Sequence, residues 1–182
     1  FEDDPTPIII SIDAEIAIFP NVRRIETITK IIVENRSDKP IETFLVNHPK
    51  HSPVSEVTIE GGSLGKRVGE LDVAWFTFDE PMQPDEQRNG MMTVVREHKG
   101  FKDRGEDTEV VNNGTFIANY SLYPSFGVDQ GFYILDQHER RKRDLGPPRR
   151  AYLLEDESRY NESFFGPQVA LIDFKATLST SE

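Results

Sequence analysis

No cysteine occurs among the 182 residues. That absence excludes a disulfide framework, a thiolate metal site and a cysteine nucleophile together. Long apolar runs are also lacking. Stretches such as Ile8-Ile9-Ile10 fall far short of the roughly 20 residues that span a bilayer, and no secretory signal pattern is present. Positive charge is scarce: 21 Lys and Arg stand against 32 Asp and Glu, a formal charge of −11. Nonspecific binding to nucleic acid or to an anionic membrane needs the opposite balance. The chain opens on Phe1 with no initiator Met and closes just after a strand-like run, so it reads as a piece of a longer protein. Any address or anchor would lie outside it.

What is present is enough Ile, Val and Phe to bury a core, in a length that suits one domain over residues 1–182. The dominant period is two. Ile8, Ile10, Ile12, Ala14, Ile16 and Ile18 alternate with residues that include Ser11, Asp13 and Glu15, which places one row inward on a pleated strand. Pro20-Asn21 breaks it, and a β-branched run follows over 25–33. Residues 34–40 read as a turn before a third strand over 41–46. Weaker runs lie at 54–59, 71–78 and 90–97. Clearer ones lie at 115–122 and 168–178, the last with Ala170, Ile172, Phe174, Ala176 and Leu178 on one face. Short strands punctuated by Gly, Pro and Asn, with no long helical pattern between them, predict an all-β antiparallel sandwich. One short helix is expected over 135–145, with Asp136 as N-cap, Glu139 completing a capping box and Gly146-Pro147-Pro148 as the stop. It falls in a long excursion, 123–167, well beyond the usual loop length of about 15 residues.

Candidate chemistry is sparse. His48 and His51 are three apart, but Pro49 and Pro53 forbid the helix that would align them, and no third ligand follows, so a structural role is expected. Gly61-Gly62-Ser63-Leu64-Gly65-Lys66 has the wrong spacing for a phosphate loop and reads as a hairpin turn. The basic run Glu139-Arg140-Arg141-Lys142-Arg143 sits in an acidic chain; it suits a solvated helix face or a contact with an acidic neighbouring domain, with Arg140, Arg141 and Arg143 as interface candidates. Acceptor sequons at Asn35, Asn113, Asn119 and Asn161 need no explanation beyond chance. No Ser-His-Asp arrangement and no His-Glu-x-x-His pattern can be drawn.

Two stretches carry a family likeness. One is Asn112-Asn113-Gly114-Thr115-Phe116-Ile117, followed by Tyr123-Pro124-Ser125-Phe126-Gly127 and by Glu139 through Arg149 with its Leu145-Gly146-Pro147-Pro148. The other runs from Ile16-Ala17-Ile18-Phe19-Pro20 through Val33 to Ile41. Together they resemble the region preceding the peptidase domain in bacterial membrane proteins that join an ABC-type permease to an aminopeptidase N-like zinc metallopeptidase of the gluzincin class. Pro81-Met82-Gln83-Pro84-Asp85-Glu86 resembles that family's turn before a strand, with Met82 and Asp85 in place of Leu and Gly. The closing run 172–179 resembles the strand that leads toward the catalytic domain.

The resemblance implies a saddle-shaped N-terminal β-sandwich resting on a zinc-bearing catalytic domain that lies downstream. No catalytic residue, metal ligand or cofactor is then expected in these 182 residues, and zinc belongs to the parent's peptidase domain. In that family a strand-loop of this domain helps hold the substrate amine through Gln or Glu. The matching positions 114–119 hold neither, which leaves Asn119 and, more distantly, Asn113 as substrate-groove candidates. A neutral amide holds an ammonium less well than a charge-assisted partner does. The expected partners are the downstream peptidase domain and a peptide substrate, with no nucleic acid and no direct membrane insertion. The resemblance places the domain on the outer face of a bacterial cytoplasmic membrane. The alternative is a free-standing extracellular binding module, Ig-like or carbohydrate-binding, with Tyr120, Tyr123, Phe126, Phe132 and Tyr133 as an exposed aromatic platform.

Overall fold

The computed structural model describes residues 4–49, 52–97, 110–111, 114–118, 122–147, 155–157 and 171–181. Among the described residues eleven strands and one short helix form, in chain order: β1 (Ile8–Phe19), β2 (Arg24–Glu34), β3 (Ile41–Asn47), β4 (Val54–Ile59), β5 (Gly62–Leu64), β6 (Val73–Met82), β7 (Gln87–Glu97), β8 (Val110–Val111), β9 (Gly114–Thr115), β10 (Ser125–Phe126), α1 (Gln137–Arg141) and β11 (Asp173–Thr180). Five strands make one sheet in the order β11-β1-β2-β7-β4, and four make a second in the order β10-β3-β6-β5. The all-β sandwich read from the sequence is the architecture observed. Every described pairing is antiparallel except that of β11 with β1, which is parallel.

Alternation along the strands builds the core between the sheets. Ile12, Ala14 and Ile16 of β1 face inward beside Ile25, Ile31 and Val33 of β2 and Met92 of β7. From the other sheet come Ile41, Phe44 and Val46 of β3 and Phe76, Phe78 and Met82 of β6. Phe44 is the hub, stacked at 5.2 Å from Phe76 and edge-on to Phe126 of β10 at 4.9 Å. The inward row of β1 departs from the sequence reading at one point. A register shift between Ile9 and Ser11 reverses the parity, so Ile9, not Ile8 or Ile10, packs against the core opposite Val33.

Turns carry the remaining differences. Residues 60–61 do not close a hairpin; they cross from β4 in the first sheet to β5 in the second, with Gly61 at φ 71°. Gly62 must lack a side chain, since a Cβ would lie 2.5 Å from the Phe76 ring and 2.7 Å from the Thr77 carbonyl. The β6–β7 turn places Met82 and Asp85 in contrasting settings. Met82 is fully buried, and Asp85 takes the left-handed conformation at φ 61°, where Gly would be free of strain and Asp is tolerated. The strand expected over 115–122 is not continuous: β9 ends at Thr115, residues 116–118 are irregular, and 119–121 lie outside the described residues. The helix is one turn, shorter than expected. Asp136 caps it by accepting from the Glu139 amide at 2.8 Å, but Glu139 turns its carboxylate to Lys142 and Arg143, so the box is half formed.

Candidate functional site

Strand β6 begins Val73-Ala74-Trp75-Phe76, apolar at four consecutive positions. Ala74 and Phe76 enter the core, so Val73 and Trp75 project from the outer face of the four-stranded sheet. Beside them, Leu45 of β3 points the same way, paired in register with Trp75. Two segments rise over this apolar patch. The 65–72 loop contributes Val68 and Leu71. The 122–147 segment contributes Val128, Phe132, Tyr133, Ile134 and Leu145. The groove they enclose has a volume of about 500 Å³, and its described lining is entirely apolar or aromatic. That size lies within the roughly 300–1,000 Å³ typical of small-molecule pockets. Trp75 keeps 41% of its surface exposed there.

The outer wall is fastened at both ends. Strand β10 pairs with the edge of β3, Gly127 N–H donates to the Leu45 carbonyl (2.8 Å), and Asn47 Nδ2 donates to the Gly127 carbonyl (2.7 Å). The far end is held by Arg140. Its Nε donates to the Gly146 carbonyl at 2.6 Å and an Nη to the Ile134 carbonyl at 2.9 Å. This draws together the two ends of the loop that carry Ile134 and Leu145. Of the three arginines expected at an interface, Arg140 is therefore turned inward, with 4% of its surface exposed. Arg143 and Lys142 both pair with Glu139, whose carboxyl they hold below the usual carboxylate range by hydrogen bonding. Arg141 is exposed and has no ion pair among the described residues. It lines a smaller cavity of about 280 Å³ with Gln137, Arg140, Gly146 and Pro147, and Leu145 is common to this cavity and the groove.

A second polar cluster lies at the end of β3. The His48 amide donates to the Asp72 carbonyl at 2.7 Å, and Nδ1 of its ring meets Ser55 Oγ at 2.7 Å. Arg67 bridges Asp72 Oδ1 (2.7 Å) and the Ser52 carbonyl (3.1 Å), tying the 65–72 loop to the segment before β4. Burial, then the neighbouring Arg67 guanidinium, pushes the His48 imidazole below its ordinary pKa, with Asp72 partly opposing. Its Nε2 is buried without a hydrogen-bond partner. Among the described residues no group of three or more His, Cys, Asp or Glu side chains gathers as a metal site. Partner His51 lies outside the described residues.

The two groove candidates from sequence, Asn113 and Asn119, also lie outside the described residues, as do Tyr120 and Asn161. Of the remaining platform rings, Tyr123 is half-buried and Phe126 packs on Phe44, whereas Phe132 and Tyr133 line the apolar groove. Trp75, Leu71 and Val68 were not singled out by sequence reasoning. The signal was available in β6, where apolar residues on both faces mark a strand covered on both sides. Asn35, a formal glycan acceptor, is fully buried and uses its amide internally.

No protein-family model matches the chain, and no curated protein matches it. Solved structures are similar at low identity. The M1 zinc metallopeptidase from Deinococcus radiodurans is 11% identical, with a TM-score of 0.41, over 54% of this chain and 22% of that one. A mutant two-domain M1 zinc metallopeptidase bound to L-tryptophan is 12% identical, with a TM-score of 0.41, over 56% of this chain and 22% of that one. A mutant of the Deinococcus radiodurans enzyme bound to a Tyr-Ser-Ala substrate gives 12%, 0.41, 54% and 22%. The matches thus span about a fifth of the length of those metallopeptidases (22%).

Proposed function

We propose that the chain is the non-catalytic N-terminal β-domain of an aminopeptidase N-like zinc metallopeptidase, where it scaffolds the catalytic domain and shapes one wall of its substrate groove. The observation that carries this reading is the uncovered row on β11. Phe174 and Leu178 stand in register with Ile12 and Ile16, two core residues of β1, yet are 51% and 65% exposed. The five-stranded sheet therefore extends its core-side face one strand past what the described residues cover. Covering a Phe or Leu of this kind contributes about 1.5–3 kcal/mol each, and the peptidase domain expected to follow β11 is the neighbour placed to do so. The sequence series from Asn112 to Arg149 supports the same family. A permease joined to the parent, and a position on the outer face of a bacterial cytoplasmic membrane, belong to this reading on that resemblance alone.

A free-standing binding module would need a flat row of exposed rings. Tyr123 and Phe126 are turned toward the core instead, which favours the scaffold. Zinc is assigned to the downstream domain, where it would polarise the scissile carbonyl and acidify a bound water. Two measurements test the proposal. Protein extended past Glu182 should bind one zinc per chain and cleave aminoacyl reporters, whereas the 182-residue chain should do neither. Zinc-dependent cleavage by the 182 residues alone overturns the non-catalytic role. A downstream reading frame without His-Glu-x-x-His overturns the peptidase parent.

A further inference from the structure

We propose that the groove over Trp75 binds the anion of a long-chain fatty acid, its tail along Trp75 and Leu71 and its carboxylate at Arg141. The proposal stands independently of the peptidase reading. Its first ground is the contrast between two adjoining cavities that share Leu145 as a wall residue. The larger, about 500 Å³, presents only apolar and aromatic side chains among the described residues. The smaller, about 280 Å³, presents Gln137 and Arg141. Leu145 belongs to both, so one molecule with an apolar body and a single polar end can span them. The second ground is charge. Arg143 is neutralised by Glu139, and Arg140 is committed to the Ile134 and Gly146 carbonyls. Arg141 is left as an exposed guanidinium with no ion pair among the described residues, in a chain of net charge −11. A carboxylate is the complement that suits its two-pronged donor geometry. The third ground is rigidity. One wall is a hydrogen-bonded sheet and the other is closed into a ring by Arg140, so the cavity exists before a ligand arrives.

Trp75 is the chain's single tryptophan, which makes its fluorescence a direct report on the groove. Dodecanoate, titrated below its micellar concentration, should shift Trp75 emission to the blue in a saturable, one-to-one manner. Arg141→Gln should weaken that binding about tenfold, the loss of one charge-assisted contact, while leaving the saturated spectrum unchanged. Leu71→Asp should abolish it with the far-ultraviolet circular dichroism preserved. Dodecylammonium should bind at least tenfold more weakly than dodecanoate. The proposal is overturned by an unresponsive Trp75, by equal affinity for the ammonium, or by an Arg141→Gln variant that binds normally. Binding to anionic vesicles without binding of free dodecanoate overturns it as well. So does a longer parent in which Trp75 emission is already blue-shifted and indifferent to dodecanoate, since another part of that protein would then occupy the groove.

Discussion

Asn35 shows what one buried amide can hold. Its Nδ2 donates to the Lys39 and Met82 carbonyls, both at 2.9 Å, while Oδ1 accepts from the Ser37 amide (3.0 Å) and hydroxyl (2.7 Å). Backbone bonds to Glu86 and Asp85 complete the junction between the β2–β3 and β6–β7 turns. Asn35→Ala strands those partners and should cost about 2–4 kcal/mol in urea unfolding. Arg36→Ala, one residue on, removes only an exposed pairing with Glu34 and should change stability by less than about 1 kcal/mol. His48 makes a different prediction. Its folded-state pKa lies below the ordinary value of about 6.5 because burial and Arg67 disfavour the imidazolium. The unfolded chain therefore binds the extra proton first. The neutral ring's contribution is complete above pH ~6.5, declines as pH falls below that value, and is exhausted once pH passes the depressed folded pKa. Urea midpoints measured from pH 8 to pH 5 should fall more steeply for the wild type than for His48→Gln. Parallel curves would show that His48 is not a source of acid lability.

At the scale of elements, the Arg140 loop is the clearest case of a short segment held by one side chain. A single helical turn is too short to be stable by itself. What fixes residues 134–146 is a guanidinium bonded to carbonyls at both ends. Arg140→Met should raise amide hydrogen exchange over 134–146 by at least tenfold while the β2 amides stay protected. Arg140→Lys should not rescue it, because a lone ammonium cannot reproduce the rigid fork. Elements such as β1, β2 and β3 were legible in the sequence because their alternation is a local property, and the Asp136 cap was legible for the same reason. What escaped was set by distant partners. Neither the parity reversal at Ile9 nor the crossing at Gly61 leaves a pattern that turn composition alone can read. Strand β5, only three residues long, exists because β6 offers it an edge. The groove needed Leu71, Trp75 and Phe132 to converge from three segments, and only the doubly apolar start of β6 announced it. Arg140 was legible as a charge but not as a clamp, since spacing does not say which arginine of a run turns inward.

For the whole molecule, the two ends of the five-stranded sheet pose opposite problems. At β4 the polar row of Glu56 and Thr58 faces outward, and the inward Val57 and Ile59 are covered. At β11 the strand is eight residues long, has an unpaired edge among the described residues, and carries Phe174 and Leu178 on the side that β1 buries. An exposed edge with an apolar row invites pairing with another chain. Two features oppose it: Lys175, which places a charge on the strand and pairs with Asp13 at 3.0 Å, and the −11 charge, which keeps copies of the chain apart. If this strip is the seat of a downstream domain, its substitution must have unequal effects in the short and long proteins. In the 182-residue chain, Phe174→Lys with Leu178→Lys exchanges exposed groups and should alter stability by less than about 1 kcal/mol. It should also suppress any self-association that appears when salt screens the repulsion, as read by sedimentation velocity at low and high ionic strength. In protein extended through the peptidase domain, the same pair removes two covered side chains and forces two ammonium groups into an apolar contact. The loss there should reach about 3–6 kcal/mol, seen as a lowered melting temperature or as separate melting of the two domains. Equal effects in both proteins would mean that β11 is not where the domains meet, and the scaffold role would lose the observation on which it stands.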